Sequence, residues 1–147
     1  MGTVSVDVTI NRPRDEVFAF VGDLTHDPLW FRGVRMSRVV SDVPSGLGTE
    51  YEQVTRLFGV PFTARVVVTA YDPPRLMALR SIRSATPFEA VYRLDDTVGG
   101  GTRYTLDAVV SGAGLYRLFG PLFLPLLRRA TAKRLAILKR VLEARAA

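Results

Sequence analysis

The sequence predicts an α+β fold in which a curved antiparallel sheet of about seven strands wraps around one long C-terminal helix. Three observations predict this arrangement. The chain opens with a run of alternating apolar and polar residues, and two short helical segments follow it. Six β-rich runs then succeed one another at intervals of about ten residues, separated by turn residues. A long amphipathic segment closes the chain.

The first three elements follow from local patterns. Residues 3–10 are apolar at every second position, which is typical of a strand with one buried face. Pro13 suits the first turn of a helix, and the two acids that follow it lie where the helix dipole favours negative charge. This short helix ends at Gly22. Residues 23–30 are predicted to form a second short helix or a turn.

The remaining strands are separated by clusters of proline, glycine and serine. The spacing predicts strands at residues 33–40, 48–57, 60–71, 75–82, 87–95 and 102–111. Short connections of this kind join antiparallel neighbours, so the six strands are expected to form a meander.

The positive charge of the chain is concentrated in its last segment. Residues 114–147 hold eight basic residues and one acid, while the formal net charge of the whole chain is +6. At roughly 100° per residue, most of the basic residues fall opposite the leucines. The charge is therefore interpreted chiefly as the solvated face of an amphipathic helix.

Arg134 is the exception, because it projects from the middle of the apolar face of this helix. A buried arginine must be paired with an acid or must meet an anion. Two interpretations stay open. Arg134 points into a cavity and contacts an acidic or carbonyl-bearing ligand, or it forms a salt bridge with a protein carboxylate or reaches solvent past the sheet edge.

Composition limits the classes of function. The length of 147 residues and the hydrophobic content of 48% predict one globular domain over residues 1–147. The chain has no cysteine, no secretory-signal pattern and no apolar run long enough to span a bilayer, so we expect a cytoplasmic protein.

The sequence shows no catalytic motif. It lacks a nucleophile elbow, a zinc-protease motif and a phosphate loop. His26 is the only histidine and is interpreted as a surface residue, since one histidine beside an aspartate does not have metal-ligand spacing. We therefore expect no metal and no cofactor, and no catalytic residue is assigned.

The chain as a whole resembles the START-like or Bet v 1-like (helix-grip) superfamily, in particular its small bacterial polyketide cyclase/dehydrase (SRPBCC) branch. The matching residues are 11–20 after the opening strand, 23–30, Gly48-Thr49, 72–76, Gly101-Thr102-Arg103 and 138–143. The resemblance implies a deep, mostly apolar pocket between sheet and helix that binds lipids, polyketides, hormones or other hydrophobic molecules. It implies that a minority of members are enzymes.

Strand alternation and helical position indicate which side chains would face such a pocket. Apolar faces of the strands supply aromatic candidates, the strand at 48–57 supplies polar ones, and the short helices and the start of the last helix supply the rest. The predicted ligand-binding residues are Trp30, Tyr51, Gln53, Phe62, Phe88, Tyr92, Tyr104, Phe119, Phe123 and Arg134.

Three functions are therefore considered. The first is binding of a small hydrophobic ligand such as a lipid or polyketide, for transport, sequestration or sensing. The second is a polyketide cyclase, aromatase or dehydratase acting in the same cavity, which would need a polar group within reach of the substrate. The third is a membrane-surface or protein-interaction module, because apolar residues 114–127 precede a basic stretch. Nucleic-acid binding is not favoured, and a monomer or homodimer is expected.

Overall fold

The computed structural model describes residues 2–57, 59–84, 87–110 and 123–145. Seven strands, one short α-helix, one 3₁₀ helix and one long α-helix make up this part of the chain. The elements in order are β1 (Gly2–Ile10), α1 (Arg14–Val21), the 3₁₀ helix (Leu24–Leu29), β2 (Val34–Val39), β3 (Glu50–Leu57), β4 (Val60–Asp72), β5 (Leu76–Arg83), β6 (Phe88–Asp96), β7 (Thr102–Val110) and α2 (Phe123–Ala144).

All seven strands form one antiparallel sheet in the order β1-β7-β6-β5-β4-β3-β2. Strands β2 to β7 follow one another as the predicted meander. β1 pairs with β7 along its whole length, from Gly2 opposite Val110 to Ile10 opposite Thr102. The first strand of the chain therefore lies beside the last one, and α1 and the 3₁₀ helix connect the two edges of the sheet.

The short helices differ from the predicted pattern in detail. Pro13 occupies the N-cap position of α1 and not its first turn, and no side chain caps this helix. The second short element is a 3₁₀ helix whose start is capped by Asp23, since the Asp23 carboxylate accepts a hydrogen bond of 3.0 Å from the backbone N–H of Thr25.

The buried face of α2 packs on the sheet through leucines that repeat at helical spacing. Leu135, Leu138 and Leu142 are almost fully buried in the main core, together with apolar residues of both short helices and most strands. Arg128, Arg129, Lys133 and Arg140 lie exposed. The predicted amphipathic character of this helix is therefore present in the structure.

The C-terminal end of α2 is fixed to the end of β1. Arg12 donates hydrogen bonds to the backbone oxygens of Leu142 and Glu143, at 3.2 and 3.3 Å. The Glu143 carboxylate in turn accepts from the backbone N–H of Asn11 at 2.8 Å. Because the last carbonyls of a helix have no partner within it, a guanidinium at this end satisfies them and complements the dipole.

Candidate functional site

A half-open cavity of about 270 Å³ lies between the sheet and α2. Its wall consists mostly of apolar side chains at alternate positions of β4, β6 and β7, because successive residues of a strand point to opposite faces. The apolar lining residues from these three strands are Phe62, Ala64, Val66, Phe88, Ala90, Leu106, Ala108 and Val110. Leu127 closes the wall from α2. The cavity therefore suits a largely hydrophobic ligand.

A few polar side chains interrupt this apolar wall. They are Asp27, Gln53, Thr55, Thr63, Ser84, Tyr92, Thr131 and Arg134. Thr131 is satisfied within its own helix, since its hydroxyl donates to the backbone oxygen of Leu127 at 2.8 Å. The ionisable members of the set, Asp27 and Arg134, are the groups that distinguish this wall from a purely hydrophobic one.

Arg134 lies on the cavity wall with its guanidinium carbon 4.3 Å from the centre of the Phe31 ring. Removal from water lowers the pKa of Arg134 from its ordinary value, although an arginine remains charged in proteins. Among the residues that the structure describes, no carboxylate forms an ion pair with it. A guanidinium that lies over an aromatic ring gains a favourable cation–π contact, and its N–H groups can still donate to an oxygen atom.

Asp27 is the buried acid of the cavity, with 6% of its surface exposed. Its Oδ2 accepts a hydrogen bond of 2.7 Å from Nε2 of Gln53, and the same Nε2 lies 3.1 Å from the Ser37 hydroxyl. Burial raises the pKa of Asp27 from 3.8 to about 7; the hydrogen bond from Gln53 opposes this rise and the negative charge of Asp23 adds to it. Both protonation states are therefore populated near neutral pH.

Tyr92 contributes a buried phenol to the same wall. Burial raises its pKa, and the nearby charge of Asp27 raises it further, so the phenol stays neutral. Behind it lies Tyr104, whose ring centre is 5.7 Å from that of Tyr92. The Tyr104 hydroxyl is buried and has no hydrogen-bond partner among the described residues.

The predicted ligand-binding residues fall into three groups: those that line the cavity, those buried in the core beside it, and those outside the described residues. The first group consists of Gln53, Phe62, Phe88, Tyr92 and Arg134.

Trp30, Tyr51 and Tyr104 do not contribute to the described lining; each is almost fully buried in the core. Tyr51 and Tyr104 belong to strands that line the cavity but are enclosed by neighbouring core residues, and Trp30 packs edge-on against Phe31 at 5.2 Å. Phe119 and the side chain of Phe123 lie outside the described residues. So do residues 114–122 of the predicted membrane-contact segment.

His26 lies outside the cavity lining and is held by local contacts. Its Nδ1 is 2.7 Å from the backbone oxygen of Phe20, and its ring stacks on the Phe20 ring at 4.8 Å. The structure thus places the only histidine as a half-buried residue that fixes the 3₁₀ helix to α1.

Asp27 is not among the predicted ligand-binding residues, although the sequence contains a signal for it. In a 3₁₀ helix, residues three apart share a face. Leu24, Asp27 and Trp30 follow this spacing and are all buried, at 1%, 6% and 2% exposure. An acid between two large apolar residues at intervals of three would have indicated a buried carboxyl, provided that the segment was assigned as 3₁₀ and not as α-helix or turn.

The part of the chain that the structure describes offers no group of three or more histidine, cysteine or acidic side chains able to hold a metal ion. Within the same residues, no helix combines the length and apolar character needed to cross a bilayer.

Comparison with known proteins gives a family and a shared fold. A family model described as polyketide cyclase / dehydrase and lipid transport matches residues 1–143. The structure superimposes on TTHA0849 from Thermus thermophilus with a TM-score of 0.83 and 18% identity, covering 99% of this chain and 100% of that one. No curated protein matches the chain in sequence.

Two further solved structures share the fold. The Zhui aromatase/cyclase from Streptomyces sp. R1128 has a TM-score of 0.78 and 17% identity, with 99% of this chain and 96% of that chain covered. A START superfamily protein from Mycobacterium smegmatis has a TM-score of 0.73 and 14% identity, with 97% and 95% covered.

Proposed function

This chain belongs to the polyketide cyclase/dehydrase and lipid-transport family, and we propose that it binds a small, largely hydrophobic ligand that carries a carboxylate or carbonyl oxygen. The single observation that carries the proposal is Arg134, a guanidinium on the wall of an otherwise mostly apolar cavity, without a carboxylate partner among the described residues.

A partly buried charge without a counter-charge is costly. Withdrawing a cation from water destabilises the fold unless an anion or several hydrogen-bond acceptors compensate it. An acidic ligand supplies that compensation through charge-assisted hydrogen bonds to the planar guanidinium. The contact with Phe31 helps to hold the guanidinium in place before the ligand arrives, which lowers the entropy cost of forming those bonds.

The volume indicates a ligand that the cavity can hold. A cavity of ~150 Å³ holds one benzene ring, and this cavity measures about 270 Å³. The described wall is therefore large enough for a molecule of two fused rings, or for an aliphatic segment of similar volume.

Displacement of a fluorescent dye tests the proposal. The neutral dye N-phenyl-1-naphthylamine fluoresces in apolar cavities, and two competitors of nearly equal shape, 2-naphthoate and 2-methylnaphthalene, would be titrated against it. Charge-assisted hydrogen bonds contribute about 1.5–3 kcal/mol, so Arg134→Leu should weaken the binding of 2-naphthoate by roughly 10- to 100-fold. The affinity for 2-methylnaphthalene should change by less than about two-fold, since that molecule makes no polar contact.

Arg140→Leu is the matched control, because it removes the same charge from an exposed position of the same helix. It should leave both competitors unchanged, which excludes a general electrostatic effect of the basic helix. Equal weakening of the charged and neutral competitors by Arg134→Leu would contradict the proposal. So would unchanged binding of 2-naphthoate.

The second candidate function is cyclisation, aromatisation or dehydration of a polyketide-like substrate in the same cavity. The observation that favours it is Asp27, a buried carboxyl on the cavity wall, since a pure carrier has no need of an ionisable acid there. A carrier releases its ligand unchanged, whereas an enzyme alters it. Mass spectrometry of ligands recovered after incubation separates these two functions.

A further inference from the structure

The Asp27 carboxyl has one oxygen that no protein group occupies. Oδ2 accepts the hydrogen bond of 2.7 Å from Gln53, and no side chain that the structure describes donates to the other oxygen. The Tyr104 hydroxyl is sealed in the core, whereas Asp27 keeps 6% of its surface and lies on the cavity wall. A buried carboxylate oxygen requires a hydrogen-bond donor, so the donor has to come from the contents of the cavity.

The carboxyl is held in one position. The backbone oxygen of Asp27 accepts hydrogen bonds from the N–H groups of Trp30 and Phe31 at 3.1 and 2.7 Å, which fix the turn. Nε2 of Gln53 has two hydrogens and two neighbours, the Asp27 carboxylate and the Ser37 hydroxyl at 3.1 Å. Because main chain and side chain are both fixed, the free oxygen of Asp27 is preorganised for a ligand group.

A second polar group of the same wall is also without a protein partner. Tyr92 is 6% exposed and lines the cavity, and its phenol forms no hydrogen bond with the residues that the structure describes. The charge of Asp27 contributes to the raised pKa of Tyr92, so the two groups are electrostatic neighbours. Buried polar groups without protein partners in a mostly apolar cavity are typical of a site that orients the polar part of a ligand.

The chemistry of these groups favours a neutral hydroxyl over the other common donors. An ionised carboxylate only accepts hydrogen bonds, so its partner must carry an O–H or N–H group. An ammonium group would add a second cation to a cavity whose wall already holds Arg134. A hydroxyl brings no charge, and its oxygen can also accept a hydrogen bond from a phenol such as that of Tyr92.

We propose that Asp27 is a specificity-determining residue that binds a hydroxyl group of the ligand through its free carboxylate oxygen. The inference rests on the proposed function, because it specifies a second polar group of the same ligand. The ligand class is then a hydroxylated hydrophobic compound, such as a phenol or an alicyclic alcohol, with a separate carboxylate or carbonyl oxygen for Arg134. Gln53 acts as a positioning residue that holds the carboxyl.

The groups around Asp27 make it the acid that titrates near neutrality. Burial holds the pKa of Asp27 at about 7, the negative charge of Asp23 raises it, and Arg134 of α2 is not among the groups that shift it. The facing strands contribute phenols whose own pKa values are raised, so that they stay neutral: Tyr51, Tyr92 and Tyr104. Asp27 is therefore mainly an acceptor at pH 8, whereas at pH 5.5 it is a carboxylic acid that also donates.

Competition between 2-naphthol and 2-methoxynaphthalene tests the inference. Both carry an oxygen on the same ring system, but only 2-naphthol has an O–H donor, and each would displace N-phenyl-1-naphthylamine. At pH 8 the wild type should bind 2-naphthol roughly 10- to 100-fold more tightly, the factor expected for a hydrogen bond to a charged group. At pH 5.5 the protonated carboxyl donates to either oxygen, so the preference should fall below about three-fold.

Asp27→Asn should abolish the preference at both pH values. Its amide oxygen can accept the hydrogen bond from Gln53, which leaves an NH₂ group that donates to either competitor. Asp42→Asn should retain both the preference and its pH dependence. Asp42 is an exposed acid on a loop, which makes it a matched control for the loss of one carboxyl. The pH dependence of the wild type needs no variant, should the asparagine variant fold poorly.

The outcomes separate this inference from the proposed function. Equal affinity of the wild type for 2-naphthol and 2-methoxynaphthalene at pH 8 would overturn the role of Asp27 and leave the binding function intact. A preference that survives Asp27→Asn would overturn it too, and tighter binding of 2-naphthylmethylamine than of 2-naphthol would overturn the assignment of a hydroxyl. Failure of all these compounds and of 2-naphthoate to displace the dye would instead contradict the proposed function.

Discussion

Asp27→Asn is expected to change how the stability of this protein depends on pH. In the folded state burial raises the pKa of Asp27 from 3.8 to about 7, so the folded protein holds this proton more tightly than the unfolded chain does. Stability decreases with rising pH wherever the folded state binds more protons. The ionisation penalty is therefore absent below about pH 4, grows between pH 4 and 7, and is complete above pH 7.

The size of the penalty follows from the two pKa values. They differ by about three units, and each unit corresponds to about 1.4 kcal/mol, which gives a penalty of about 4 kcal/mol at pH 8. The asparagine variant has no charge to bury, and its amide oxygen can still accept the hydrogen bond from Gln53. The free energy of unfolding of the variant should thus equal that of the wild type at pH 4 and exceed it by about 4 kcal/mol at pH 8. This difference is a large share of the ~5–15 kcal/mol typical of a domain.

Urea denaturation at pH 4, 6 and 8 measures this difference. The quantity of interest is the difference in free energy of unfolding between variant and wild type, because changes in overall charge affect both proteins alike. Asp42→Asn should run parallel to the wild type at every pH, since Asp42 is exposed. A constant difference between the Asp27→Asn variant and the wild type across the three pH values would show that the carboxyl is not desolvated, and the reasoning would fail.

Two further substitutions test the packing around the cavity by urea denaturation at one pH. Leu138→Ala should lower the free energy of unfolding by about 2–5 kcal/mol, because Leu138 is fully buried, while Leu126→Ala on the exposed face should change it by less than about 0.5 kcal/mol. Tyr104→Phe removes a buried hydroxyl that has no partner among the described residues, so the variant should be equally stable or more stable by about 1 kcal/mol. A loss of more than about 1 kcal/mol in that variant would reveal a hydrogen bond that the described contacts lack.

Local patterns predict the sheet well because the signals that define strands and turns are themselves local. The predicted runs 60–71 and 102–111 correspond to β4 at Val60–Asp72 and β7 at Thr102–Val110. The family resemblance is confirmed by the match over residues 1–143. The pairing of β1 with β7 joins distant parts of the chain, and no local pattern specifies it.

The candidate site is predictable only where a single element fixes the direction of a side chain. Strand alternation is enough to predict that Phe62 and Phe88 face the cavity, whereas helical position places Arg134 on the buried face of its helix and leaves its partner open. How far along a strand the cavity extends depends on packing between elements, which is why Tyr104 lies in the core while other residues of β7 line the wall. The position of the Asp27 carboxyl on the cavity wall depends on a 3₁₀ turn and on a hydrogen bond to another element.

The relation between Asp27 and Arg134 bears on whether the polar groups of the cavity serve the fold or a ligand. Both line the same cavity and carry opposite charges, yet they form no ion pair. Arg134 is not among the groups that shift the pKa of Asp27. Pairing them would offset the desolvation cost of each, which is what stability alone would favour. Without that pairing, each charge costs the fold free energy that a bound molecule with its own polar atoms can recover, which is the arrangement expected of a cavity that binds a ligand.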